Sequence, residues 1–505
     1  MFLESFCYAY HYYTDRNHLY FIEKTCFVQK KFTKHHYLIF ATGRNKKMKK
    51  YVSYLLCGAI GILCGCGSQE TALVVEENTQ LTAEPTEPSQ TKENMENTQD
   101  GEHVIEVDGE SASYTNLEIV KSGDSEGDEA DFYGENAAIF ATNGGVLTLE
   151  NSQITTNGTH ANAVFSYGEG TIVNVVDTTI ETSGNCSGGI MTTGGGTMNA
   201  TNLNVHTTGN SSAAIRSDRG GGTVNVAGGT YTAEGKGSPA IYSTADITVN
   251  DATLTSTSAQ GIVVEGKNSV TLNGVTLDAD NTSKNSDKSD TYQAVMIYQS
   301  MSGDAAEGEA SFTMNGGSLT NHNGDIFFVN NTVASITLEN AQITNEAEGV
   351  FLRAEAAGWG QEGSNGGHVN LYAKDQSIEG DMIVDTVSTL NLYLTGNTHL
   401  SGAINPSNEG EVYVEVSGDA KWTLTGDSYI TSLTCEENNI DLNGYTLYVN
   451  GVAYEKGSAS SGEAIEVAIT SGNTPPSMPE GGTPPAKPEG GTPPDKPDGE
   501  SPKRP

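Results

Sequence analysis

Leu147-Thr148-Leu149-Glu150-Asn151-Ser152-Gln153-Ile154 is followed one repeat later by Val173-Asn174-Val175-Val176-Asp177-Thr178-Thr179-Ile180. Both place apolar or small residues at offsets 0, 2, 5 and 7, and the offsets recur in Met198, Ala200, Leu203, Val205, in Val224, Val226, Gly229, Tyr231, and in Ile247, Val249, Ala252, Leu254. A step of two is the alternation of a strand with one buried face. A step of three is a bend that returns the next strand's side chains to the same interior. Ahead of each stretch a small residue precedes a β-branched one, at Ala138-Ile139, Ala163-Val164, Gly189-Ile190, Ala214-Ile215 and Ala240-Ile241, spaced by 25, 26, 25 and 26 residues. Each repeat therefore reads as about three short strands and three turns, with Gly, Asn, Asp and Ser where the turns are needed.

One repeat cannot bury its own apolar face, but equivalent strands stacked in register supply ladder hydrogen bonds above and below. The expected fold is all-β: a single-stranded parallel β-helix over residues 103–470. The pattern continues less regularly through Gly261-Ile262, Ala294-Val295, Asp325-Ile326 and Gly349-Val350. Some 13 coils at about 4.8 Å each give a rod of roughly 60 Å. The repeat resembles the right-handed parallel β-helix (pectate-lyase-like) superfamily, which includes polysaccharide lyases, polygalacturonases and non-catalytic carbohydrate-binding and adhesin-like surface proteins. The resemblance covers about residues 104–452 and implies the handedness; it leaves the activity open.

Upstream, Met48-Lys49-Lys50 and the apolar run to Leu63 read as a secretion signal, too short for a membrane span. The run ends in Leu63-Cys64-Gly65-Cys66, which resembles the bacterial lipobox and makes Cys66 the expected lipid acceptor. Residues 48–65 are then the signal peptide, and residues 1–47, unlike the rest in composition, an extension ahead of the true start at Met48 or a cytoplasmic segment before a signal anchor. Residues 66–102 read as a polar tether, and residues 471–505, with their nine-residue Pro/Gly repeat, as a low-complexity tail. Residues 1–65 hold 10 of the 26 Lys and Arg and 3 of the 64 Asp and Glu, which leaves 16 against 61 and a charge of -45 afterwards. Nucleic acid and anionic membrane surfaces are excluded as partners by that field; contact with a membrane is expected through the lipid alone. Cys186 and Cys435, many coils apart, are read as unpaired.

If the β-branched position of the first strand points inward, the third and fifth positions face out. The third positions include Phe140, Phe165, Arg216, Tyr242, Phe327 and Phe351, and the fifth Tyr167, Asp218, Glu265, Tyr298 and Arg353. The opposite register would bury four charges, each at a cost of several kcal/mol unless paired. The result is either an exposed aromatic ladder suited to sugar rings or a stripe covered by loops. Insertions at residues 280–292, 299–309 and 355–367, the last with Trp359, could wall a groove along this sheet. Arg216, Asp218 and Arg219 form its one charged cluster, able to clamp a uronic acid carboxylate or simply to pair in solvent.

The Asn-Thr-Asp, Asp-Asp and Gly-His-Gly signatures of polygalacturonases are missing; Gly367-His368-Val369 comes nearest. No Ser, His or Cys constellation or metal-ligand spacing stands out, no cofactor is implied, and acidic residues 124–131 offer oxygen ligands for Ca²⁺ without a spaced motif. The expectation is a non-catalytic lipoprotein on the outer face of a bacterial membrane that binds a polysaccharide or other cell-surface polymer. The alternatives are a lyase for acidic glycans working through Arg216, Asp218, Arg219 and Glu265, and an adhesin shaft with a protein partner.

Overall fold

A computed structural model of the protein describes residues 92–284 and 286–467. The signal segment, Cys66, the tether up to residue 91 and the tail lie outside these residues. What is described is a parallel β-helix. Ile105, Ile139, Val164, Ile190, Ile215, Ile241, Ile262, Val295, Phe327, Leu352 and Met382 pair in sequence through an 11-stranded parallel first sheet. A 21-stranded sheet forms the other two faces, because Gly196–Thr207 and Gly222–Ala233 run through the bend and belong to both. Its second-face strands run from Ser111–Thr115 to Ser432–Cys435. Near the C-terminal end the third face passes to a four-stranded sheet, and an antiparallel strand, Val452–Ala453, closes the last turn.

The bend has a single stereochemical cause. At offset 4, between the two pairs of inward side chains, stand Asn151, Asp177, Asn202, Gly228, Asp251, Gly274, Gly316, Asn340 and Asp375, all with φ between 47 and 71°. Only Gly, Asn and Asp enter this left-handed region cheaply. The inward residues, among them Leu147, Leu149, Ile154, Val173, Val175 and Ile180, form one continuous core that runs the length of the described coils. A second device sits at the corner before the first sheet. A Cβ on Gly184, Gly209 or Gly235 would lie 1.8 Å from the carbonyl oxygen of Gly158, Gly184 or Gly209 one coil below, so these glycines set how closely the coils stack.

Two expectations need correction. Glu93–Asn97, placed in the tether, is a strand paired with Leu117–Lys121. Met95 is its one apolar contact with the core, too little alternation to show in the sequence. Phe327 and Phe351 belong to the interior: Phe327 pairs with Val295 and Leu352, and its ring meets Phe312 and Phe351 edge-on at 5.5 and 5.6 Å. The coil between Val295 and Phe327 is 32 residues long, one more than the Val295-to-Ile326 alignment allows, and a one-residue slip exchanges the two faces of a strand. The outward positions there are Phe328 and Arg353.

Candidate functional site, a cleft over the first sheet

The outer face of the first sheet is apolar, as its third positions require, and it is covered. At the N-terminal end Phe140, Phe165 and Met191 form a satellite cluster with Ala137, with Tyr167 packed against it. The short helix Asp128–Tyr133 and the residues after it lie across this cluster: Gly134 seats on the Phe140 and Phe165 rings, Phe132 accepts a hydrogen bond from Thr193 Oγ1, and Tyr133 packs edge-on against Tyr167 at 5.7 Å. Phe140 and Phe165 are therefore no part of an exposed ladder. Their outward direction is as expected, but the acidic insertion folds over them instead of remaining a solvated turn.

The charged positions also point outward; Asp218 and Glu265 are buried by cover and Arg216, Arg219 and Arg353 half-buried, each with a partner. Arg216 Nη2 donates to Asp218 Oδ2 at 2.9 Å, and Arg219 bonds Asp304 Oδ1 through Nε and Nη2 while its guanidinium stacks 3.8 Å from the Phe132 ring centroid. Arg353 Nε donates to Asp325 Oδ2 at 2.6 Å and Nη1 to Glu355 Oε2 at 3.1 Å. Glu265, 1% exposed, accepts the Tyr242 hydroxyl at 2.5 Å, the Tyr298 hydroxyl at 3.1 Å, and the Ser300 hydroxyl and amide. Burial, reinforced by that carboxylate, holds both tyrosine hydroxyls well above the ordinary phenol range. Burial likewise pushes the Asp218 carboxyl up to about 6 against the opposing pull of Arg216. Arg216, Asp218, Arg219 and Glu265 thus lie on one face, as an acid-glycan lyase would need, but Ser300 closes over Glu265 and Asp304 over Arg219, and Arg216 Nη1 is buried without a partner among the described residues.

Further along the same face the cover opens. Val263, Met296, Tyr298 and Phe328 form a second satellite cluster with Tyr242, Ala357 and Trp359 against it. Above it lies a cleft of about 330 Å³, floored by Tyr242, Val263, Met296 and Tyr298 and lined further by Asn281, Lys284, Lys288 and Trp359, the two covering segments being joined where Gly358 N–H donates to Lys288 O at 2.7 Å. Trp359 packs edge-on to Tyr298 at 5.2 Å, with Lys288 Nζ 5.9 Å from its ring centroid. Lys284 lines the cleft with Nζ 5.5 Å from the Tyr292 ring. Gln260, Asn281 and Gln293 also line the cleft, and the buried Asn281 Oδ1 and Gln293 Oε1 have no partner among the described residues.

Of the sequence-derived candidates, Tyr242, Tyr298 and Trp359 meet in this cleft. Arg216, Asp218, Arg219 and Glu265 lie beneath the neighbouring cover, Arg353 is held by Asp325 and Glu355, and Phe140, Phe165, Tyr167, Phe327 and Phe351 lie elsewhere. The cleft's amides and lysines were missed. The insertion at residues 280–292 was visible from its length, but which of its polar side chains turn inward depends on contacts with other coils. No family model, curated protein or solved structure matches this chain.

Proposed function

We propose that this chain is a surface lipoprotein, anchored through Cys66, that binds a carbohydrate chain in the cleft lined by Tyr242, Lys288 and Trp359. The observation that carries the reading is the composition of that cleft: aromatic rings beside amide groups, two of them with buried, unpartnered oxygens. Sugar rings offer a flat apolar face to an aromatic ring and a rim of hydroxyls to amides, and buried polar groups gain most from a ligand that completes their hydrogen bonds. Lys284, whose Nζ lies 3.7 Å from Asp290 Oδ1, and Lys288 add N–H donors for sugar hydroxyls.

Binding is favoured over lyase chemistry because Arg216, Asp218, Arg219 and Glu265 lie under cover, whereas aromatic rings and two buried amide oxygens without a partner among the described residues line the cleft. A glycan array probed with the full chain, with absorbance followed for unsaturated sugar, separates the readings. Binding without product is expected. Trp359→Ala should weaken it by at least about 2 kcal/mol, or ~30-fold, as is usual for a central aromatic anchor. Failure to retain any glycan would refute the proposal, and unsaturated product would transfer the function to the Arg216 and Glu265 region.

A further inference from the structure

A second constellation lies at the corner that leads into the first sheet, away from the cleft. His160, Cys186 and Ser211 occupy one position in three successive coils, each four residues before the inward Val164, Ile190 and Ile215, with φ of 56, 54 and 54°. Their backbones stack: His160 N–H donates to Asn185 O at 2.9 Å and Cys186 N–H to Asn210 O at 2.8 Å. Asp131 reaches the same point from the helix Asp128–Tyr133, with Oδ1 2.7 Å from His160 Nε2. One donor atom each from Asp131, His160 and Cys186 lies within 4.8 Å of the others. His160 is buried and Cys186 is an unpaired thiol.

We propose that Asp131, His160 Nε2 and Cys186 Sγ form a binding site for a thiophilic divalent cation of the Zn²⁺ class, with the fourth position left to water or an external ligand. The donor set decides the cation: one imidazole, one thiolate and one carboxylate suit Zn²⁺ and are foreign to Ca²⁺ and Mg²⁺, which take oxygen ligands. The second shell is already in place. His160 Nδ1 lies 2.7 Å from the Ser125 carbonyl oxygen, which fixes the proton on Nδ1 and leaves Nε2 as the ligand, the arrangement usual for metal-bound histidine. It also argues against a nucleophile relay, which sets thiolate and carboxylate on opposite ring nitrogens, because Ser125 closes one of them.

In the metal-free protein the proton between His160 and Asp131 stands where the cation would. Binding one Zn²⁺ releases that proton and the Cys186 thiol proton. Tetrahedral Zn²⁺ holds nitrogen and oxygen ligands about 3.3 Å apart, so Asp131 must withdraw by roughly 0.6 Å. The cation would then clamp the helix that covers Phe140 and Phe165 onto two coils.

The test is titration of the metal-stripped full chain with Co²⁺ and Zn²⁺. One Co²⁺ should bind with a thiolate charge-transfer absorption that Cys186→Ser abolishes and Cys435→Ser leaves intact. Zn²⁺ affinity should fall in Cys186→Ser by more than about 100-fold, beyond the loss typical of an outer-shell partner. Serine fits this turn, since Ser211 occupies it one coil later. Should Cys186→Ser not fold, Asp131→Asn on the covering helix must give the same loss of affinity. Absence of a thiolate band overturns the proposal, and a band and affinity unchanged by these substitutions overturn it too and assign the bound metal to cysteines other than Cys186.

Discussion

A buried ion pair is held by its geometry, and the Arg216–Asp218 pair shows the balance at one residue. Asp218, just past the strand Ile215–Ser217, is 5% exposed and meets Arg216 two residues before it, Arg219 through a backbone N–H, Asp304 from the covering segment, and the Tyr242 and Tyr298 hydroxyls further off. Asp218→Asn reproduces the shape and neutrality of the protonated carboxyl, so it should change stability little near pH 4. The pH dependence has the opposite sense to that of an ordinary salt-bridged carboxylate. Because the folded carboxyl titrates near 6 against 3.8 in the unfolded chain, its stabilising contribution is complete below about pH 4 and is lost as pH rises through 6. The stability of the wild type relative to Asp218→Asn should therefore fall by about 2 kcal/mol between pH 4 and pH 7. Urea unfolding of both proteins across that range measures it, and a relative stability of the wild type that stays flat or rises with pH would show that the carboxylate is not held against its own burial.

Two elements repeated along the coils carry different loads. The left-handed residue at offset 4 is a conformational requirement: Asn340, exposed with φ 52°, should lose about 1 kcal/mol as Asn340→Ala and almost nothing as Asn340→Gly. The corner glycines are a steric requirement. In Gly209→Ala a methyl 1.8 Å from the Gly184 carbonyl must separate two coils, with an expected cost of at least about 3 kcal/mol. Equal destabilisation of Gly209→Ala and Asn340→Ala in urea would refute the distinction. These elements were legible because their rules are local: alternation gave the inward residues, and the step of three marked the bend that Asn151 and Asp177 make. The register slip at Phe327 arose where an inserted loop interrupts the period and both Ile326 and Phe327 are apolar enough to point inward. The cover over Phe140 and Phe165 was not legible, since an acidic stretch such as residues 124–131 shows its buried side only against residues from other coils. The pairing of His160 with Cys186 was present as a 26-residue interval at one repeat position, but Asp131 comes from outside the repeat.

At the scale of the whole molecule, charge acts against the architecture. Residues 66–505 carry 61 acidic and 16 basic side chains, and parallel stacking sets equivalent positions only about 4.8 Å apart. Some of this repulsion is answered within the stack. His206 sits between Glu181 and Glu234 at 2.9 and 3.1 Å, and His322 between Asp278 and Glu346 at 3.1 and 3.0 Å, each linking neighbouring coils. Attraction to the flanking carboxylates holds both imidazoles above their usual range against the cost of desolvation, which supports the linkage at acid pH and withdraws it as pH rises through their raised pKa values. Most carboxylates lack such a partner, and the net field of -45 favours the expanded chain. The screening length falls from about 30 Å at 0.01 M salt to about 10 Å at 0.1 M, so added salt removes repulsion between coils several steps apart before it weakens contacts within one step. The unfolding temperature of the full chain at pH 8, where the histidine links are weakest, should rise by several degrees between 0.01 and 0.3 M NaCl. It should rise less at pH 5, where protonated histidines already neutralise part of the stack. A fall with salt at both pH values would mean that ion pairs such as Arg353 with Asp325 and Lys374 with Glu339 outweigh self-repulsion, and that the acidic surface adds no strain to the coil stack.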